Sequence, residues 1–118
     1  MLHSFPTRRS SDLAAVPTSD TLKEVGQGPH RPTPRITRTV DRERIWRAQT
    51  PQGFPRQMLN EAYVQLGAAV DGGPPSDDAE VCERAGFPVE LIPDSPYNFK
   101  ITTADDFRIA EALARELR

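Results

Sequence analysis

The chain has 118 residues, enough for one domain and too few for two. Apolar residues make up 36%, lean for a compact core beside 12 prolines, and the single cysteine, Cys82, excludes an internal disulfide and argues against a cysteine-based zinc site. The net charge is −2, and no apolar run is long enough to cross a bilayer, so the expectation is a soluble cytoplasmic protein with no membrane partner.

In chain order, His3-Ser4-Phe5-Pro6-Thr7-Arg8-Arg9-Ser10-Ser11-Asp12-Leu13 reads like one frame of a translated sequencing adapter, and residues 1–13 are therefore expected to stand outside the fold. Arg8-Arg9 does not make a twin-arginine export signal, because the apolar residues that follow (Leu13, Ala14, Ala15, Val16) stop at Pro17. The domain is expected over 14–118, with an arm over about 18–50. On this reading the chain is a fragment whose N-terminal half is missing.

Ala14 to Val16 reads as the end of a strand, and Asp20 to Val25 continues extended. Gly26 to Pro34 is dense in glycine and proline, which turn the chain, and Arg35 to Val40 alternates and is β-branched, so the two runs form a long hairpin. Ile45 to Thr50 reads as a strand ending at Pro51, with Trp46 packed in the core or at a contact between subunits. From Pro55 the apolar period becomes helical, with Met58, Leu59, Ala62, Tyr63, Leu66 and Val70 on one face. Asp77-x-x-Glu80 offers a capping box for a short helix closed by Gly86. Val89 to Ile92 and Asn98 to Ile101 read as brief strands, and Thr103-x-x-Asp106 caps a last helix with the stripe Phe107, Ala110, Leu113, Ala114 and Leu117. Strands alternating with helices predict an α/β layered domain.

Charge is unevenly placed. Lys23, Arg31, Arg35, Arg38, Arg42, Arg44, Arg47 and Arg56 face only Glu24, Asp41 and Glu43 across residues 23–56, whereas from 57 to 106 only Arg84 and Lys100 oppose ten carboxylates. A basic stretch beside an acidic body suits an anionic ligand, although a solvated, arginine-dotted hairpin face has the same composition.

Three blocks carry more specific information: Val40-Asp41-Arg42-Glu43-Arg44-Ile45-Trp46-Arg47-Ala48-Gln49-Thr50-Pro51-Gln52, then Asp77-Asp78-Ala79, then Asn98-Phe99-Lys100-Ile101-Thr102-Thr103. In order and spacing they resemble the C-terminal half of the 2-C-methyl-D-erythritol 4-phosphate cytidylyltransferase family. The resemblance implies the C-terminal part of a Rossmann-like nucleotidyltransferase sheet, with a protruding β-hairpin arm that reaches a second subunit of a homodimer. It implies transfer of CMP from CTP to methylerythritol phosphate with release of pyrophosphate, a step of isoprenoid biosynthesis by the non-mevalonate route. It also implies a divalent metal, usually magnesium, whose ligands, like the CTP-binding glycine-rich loop, are absent from this chain.

By the same resemblance Arg42 and Lys100 are the catalytic clamps on the substrate phosphate, with Arg42 offered to the partner subunit's site. Thr21 and Ser76 contact the substrate, Ser76 standing where the family typically has threonine. Phe99 departs from the family's usual aliphatic residue, which affects packing. A guanidinium and an ammonium are the groups such chemistry needs, because two anions must be brought together.

Each position also has a plainer reading. Arg42 could pair with Asp41 or Glu43, Lys100 could be a solvated edge residue, and Ser76 could be a loop or cap residue. Asp77 and Asp78 answer a helix dipole more readily than they bind metal, and His3 and His30 lack ligand spacing. A basic-arm nucleic-acid binder and a non-catalytic dimerisation fragment are the alternatives. The former lacks interleaved aromatic residues, so no nucleic-acid partner is expected.

Overall fold

A computed structural model of the chain describes residues 10–26, 33–68 and 72–117. The expected adapter residues 1–9, the hairpin turn at 27–32 with His30 and Arg31, and Val70 lie outside the described residues. The architecture is α/β, with a mixed three-stranded sheet, a separate two-stranded ladder and three helices among the described residues.

Strand β1 (Ser11–Pro17) is the middle of the larger sheet, antiparallel to β4 (Trp46–Gly53) and parallel to β5 (Val89–Pro93). Six consecutive residues from Ser11 to Val16 are buried, as expected of a strand covered on both faces, and the small Ala14 and Ala15 suit that crowding. Ser11, Asp12 and Leu13 are part of this strand, which corrects the expectation that residues 1–13 stand outside the fold. They pair with Val89, Glu90 and Leu91 on one side, and Asp12 and Leu13 with Gly53 and Gln52 on the other. Ladder bonds come from the main chain, so any residue that can stay extended completes the pairing that β4 and β5 demand.

Strand β4 runs past Pro51 to Gly53, where an end at Pro51 was expected. The β1–β4 register shifts between Leu13 and Ala15, and β4 is an edge strand. A residue without an N–H is tolerated at such an irregularity on a sheet edge.

The two strands expected to form a hairpin pair with each other. β2 (Leu22–Val25) and β3 (Ile36–Val40) pair antiparallel with each other and with no third strand among the described residues, and Gly26 N donates to Arg35 O at 3.0 Å beyond the ladder. Arg38 pairs with Glu24 at 2.6 Å, and Lys23 Nζ donates to Thr39 Oγ1 at 2.7 Å. Ile36 is 62% exposed, so the ladder buries little of its own apolar surface.

Helices α1 (Arg56–Ala68) and α2 (Asp78–Arg84) pack around Ala62, Val81 and Cys82, with Phe54, Leu59, Leu66 and Phe87 against them. The Pro55 carbonyl accepts from Leu59 N, opening α1 as its position predicts. Asp77 caps α2 by accepting from Glu80 N at 2.8 Å, and Gly86, at φ +82°, closes it with Gly86 N donating to Glu83 O and Phe87 N to Cys82 O. Tyr63 is half exposed and donates its hydroxyl to Asp78 Oδ1, tying α1 to α2.

Asn98 to Ile101, expected as a strand, is loop. No described strand runs beside it to supply a ladder, and side-chain amides take that role: Gln49 Nε2 donates to Asn98 O, and Asn98 Nδ2 donates to Thr50 O. Helix α3 (Ala104–Glu116) begins with the full capping box expected at Thr103 and Asp106. Its stripe is only partly covered: no residue of α3 is buried, Ala110 and Leu113 are half-buried, and Phe107 and Leu117 are 55% and 68% exposed.

Asp106 Oδ2 accepts from Thr102 N, Thr102 Oγ1 and Thr103 N, and these bonds, the Thr102 backbone bond first, hold its carboxyl below the usual carboxylate range. A carboxylate with a lowered folded value stabilises above its unfolded value, about 3.9, and loses that contribution as pH falls through the folded value. The start of α3 should therefore persist on acidification until below the ordinary carboxylate range. Asp106→Ala should leave a weakened helix start with no such pH step, read from the amide NMR signals of Thr102 and Thr103. The bond to Asp78 raises the Tyr63 phenol above its ordinary value, with smaller contributions from desolvation and nearby negative charge. Asp78→Ala should return it to about 10 in a spectrophotometric titration.

Candidate functional site

Beside β4 lies an open cavity of about 420 Å³. Arg47, Gln49 and Gln52 of β4, Ser76 and Asp77 before α2, and Asn98 and Lys100 of the loop before α3 contribute its polar wall, and Val16, Pro96 and Phe99 contribute apolar surface. Strand β1 fixes β4, the α1–α2 core fixes the turn at Ser76, and β5 delivers the loop with Lys100, so three separate parts of the sequence converge here.

Not all of these groups are free for a ligand. Asp77 is spent twice, capping α2 through Oδ1 and accepting from Gln52 Nε2 at 3.1 Å through Oδ2. The N-cap is thus Asp77, and the Ser76 hydroxyl is left facing the cavity without a hydrogen bond among the described residues. Lys100 and Arg47 likewise have no hydrogen-bond or ion-pair partner there. Two cations without an ion-pair partner among the described residues and a hydroxyl line one cavity beside the Asp77 carboxylate, and such donors suit the oxygens of an anion such as phosphate.

A second cluster forms at the base of the arm. Arg42 Nη1 donates to Ser19 O at 2.9 Å and to Thr21 Oγ1 at 3.4 Å. The turn that carries Arg42 is closed by Ile45 N donating to Arg42 O at 3.0 Å, and Asp41 Oδ1 accepts from Glu43 N. Among the described residues Arg42 makes no ion pair with Asp41 or Glu43; Asp41 Oδ1 instead accepts from Glu43 N. Most of the guanidinium's donors stay available at an exposed position.

The structure brings Thr21 within 3.4 Å of Arg42 and places Ser76 and Lys100 on the lining of one cavity. Neither Thr21 nor Arg42 lines the cavity. Sequence reasoning missed Arg47, Gln49, Gln52 and Asn98 as cavity residues, although all four lie in the informative blocks. Arg47 and Gln49 are two apart, the spacing of one strand face, but Gln52 is an odd step further on and reaches the same cavity past the register irregularity.

Among the described residues no three His, Cys, Asp or Glu side chains gather where they could hold a metal ion. Asp77 and Asp78 serve the α2 cap and Tyr63 instead, so the donor set does not fit a divalent cation that takes oxygen ligands. No helix among the described residues is long and apolar enough to cross a membrane.

The chain is similar to known proteins over most of its length. The family model for IspD, 2-C-methyl-D-erythritol 4-phosphate cytidylyltransferase, matches residues 2–116. A curated relative of that name from Syntrophus aciditrophicus (strain SB) is 47% identical over 109 residues, covering 92% of this chain and 44% of the relative. A bifunctional enzyme IspD/IspF from Anaeromyxobacter dehalogenans (strain 2CP-C) is 44% identical, covering 90% of this chain and 26% of the relative. Among solved structures, 2-C-methyl-D-erythritol 4-phosphate cytidylyltransferase from Thermus thermophilus superposes with a TM-score of 0.70 at 35% identity, over 92% of this chain and 50% of that one. The Francisella tularensis enzyme superposes with a TM-score of 0.74 at 28% identity, over 87% of this chain and 45% of that one. The chain spans less than half the length of these curated relatives. With a family match over nearly its whole length, it belongs to the 2-C-methyl-D-erythritol 4-phosphate cytidylyltransferase family.

Proposed function

We propose that this chain carries the sugar-phosphate clamp and the dimerisation arm of an enzyme that transfers CMP from CTP to 2-C-methyl-D-erythritol 4-phosphate and releases pyrophosphate. The observation that carries the reading is the unpaired Lys100 ammonium facing the same cavity as the free Ser76 hydroxyl. Lys100 and Ser76 hold oxygens of the substrate phosphate, which becomes the nucleophile toward the α-phosphorus of CTP. Arg42, oriented by Ser19 O and Thr21, is presented by the arm to the site of a second copy, where its remaining donors complete the clamp.

The chemistry asked of these residues is positional. Attack by one anion on another is accelerated by holding the reacting oxygen in line and screening its charge, without covalent participation by the protein. The sheet belongs to a Rossmann-like nucleotidyltransferase domain in a cytoplasmic homodimer, whose ligands are CTP and methylerythritol phosphate rather than nucleic acid or a membrane. The described residues do not fit the magnesium ion expected for the full-length enzymes.

The chain alone should release no pyrophosphate from CTP and methylerythritol phosphate, since the clamp binds only one reactant. It should still bind methylerythritol phosphate in an NMR or calorimetric titration. Lys100→Ala should weaken that binding about tenfold or more, the scale of a lost charge-assisted hydrogen bond, and Ser76→Ala should do so less. Unchanged affinity in Lys100→Ala would place the phosphate elsewhere. A salt-sensitive shift of a nucleic-acid probe in place of sugar-phosphate binding would favour the basic-arm binder.

A further inference from the structure

Lys100 lies in neither strand nor helix and has no partner of its own among the described residues, so its place at the cavity depends on how its loop is held. Downstream, the loop ends in the Thr102–Asp106 hydrogen bonds that start α3. Upstream, residues 94–98 form a closed turn: Ser95 N donates to Asp94 Oδ1 at 2.7 Å, Asn98 N donates to Ser95 O at 3.0 Å, and Asp94 N donates to Ala15 O of β1 at 3.0 Å.

This turn is fastened to β4 by two side-chain amides working in opposite directions. From β4, Gln49 Nε2 donates to both Ser95 O and Asn98 O at 2.9 Å. From the loop, Asn98 Nδ2 donates to Thr50 O at 2.6 Å and to Asp94 Oδ2 at 3.0 Å. Both –NH₂ groups use both of their protons, and every acceptor is a carbonyl or carboxylate oxygen, so neither amide can be reversed without setting oxygen against oxygen. Gln49 Oε1 is buried without a partner among the described residues, so the side chain's hydrogen bonds there are the two that its –NH₂ gives to the loop.

We infer that Gln49 and Asn98 are positioning residues that clasp the loop onto β4 and so set where Lys100 meets the substrate phosphate. The inference rests on the reading of Lys100 as a phosphate clamp. The acceptors Gln49 reaches are two and five residues before Lys100, close enough that releasing them moves the ammonium, while Gln49 itself is turned to the loop and gives no proton to the ligand.

Amide hydrogen exchange and titration with 2-C-methyl-D-erythritol 4-phosphate, both followed by NMR on the full chain, test this. Gln49→Met keeps the length of the side chain and removes both donors. It should raise exchange at Asn98 about tenfold and weaken sugar-phosphate binding by a similar factor, with exchange at Ala62 and Val81 unchanged. Lys100→Met should weaken binding about tenfold or more, as Lys100→Ala does, while leaving loop exchange as in the native chain. Gln52→Met, which lines the same cavity but bonds to Asp77, should leave loop exchange unchanged. Asn98→Ala removes the second amide without touching β4 and serves the same purpose if Gln49→Met does not fold. Native exchange and affinity in both clasp variants would overturn the inference. Faster loop exchange in a chain that never binds the sugar phosphate would uphold the clasp and defeat the reading of Lys100.

Discussion

Strand β1 is paired on both edges and buried along Ser11 to Val16, and that double engagement is the constraint on which the site depends. Because β1 accepts β4 antiparallel and β5 parallel, the chain must return twice to the same strand from distant points in the sequence. The first return brings Arg47, Gln49 and Gln52, and the second brings the turn before Lys100, which is itself bonded to Ala15 O. Parallel pairing also needs a long crossover, and the α1–α2 pair lies within it and delivers Ser76 to the cavity. Backbone hydrogen bonding to one buried strand thus gathers side chains that are far apart in sequence.

Where backbone pairing ends, side-chain amides continue it. The loop at Asn98 has no described strand neighbour, yet the carbonyls of Ser95, Asn98 and Thr50 are satisfied by Gln49 and Asn98. A carboxamide presents two donors in a plane, as a short piece of ladder would, but fixes only one point of the chain. A loop held this way can stand beside a ligand with its cation exposed, which a regular strand at the sheet centre could not do without burying it.

Much of this was legible in the sequence because it rests on local rules. The hairpin from Asp20 to Val40, the Asp77 and Thr103 caps, the Gly86 stop and the α1 face centred on Ala62 each derive from turn chemistry, capping or periodicity. Thr21, Arg42, Ser76 and Lys100 came from motif resemblance; Thr21 and Arg42 meet by a hydrogen bond, and Ser76 and Lys100 line one cavity. Three features were not legible. The false strand at Asn98–Ile101 has strand-like residues but no partner, and partnership is a tertiary fact. The extension of β4 past Pro51 needed the register irregularity opposite Ala14. The role of Ser11 to Leu13 in β1 depended on main-chain pairing, which composition does not reveal.

Helix α3 is a segment that is capped but only partly covered. It has 13 residues, none of them buried, and its start is set by its own hydrogen bonds rather than by contact with the sheet. Isolated helices of about this length sit near the balance point between helix and coil in water. The last helix is therefore expected to unfold apart from the sheet with α1 and α2. Unfolding watched by helical signal and by the environment of Trp46 would trace two curves rather than one, and no single midpoint would describe the stability of the whole chain.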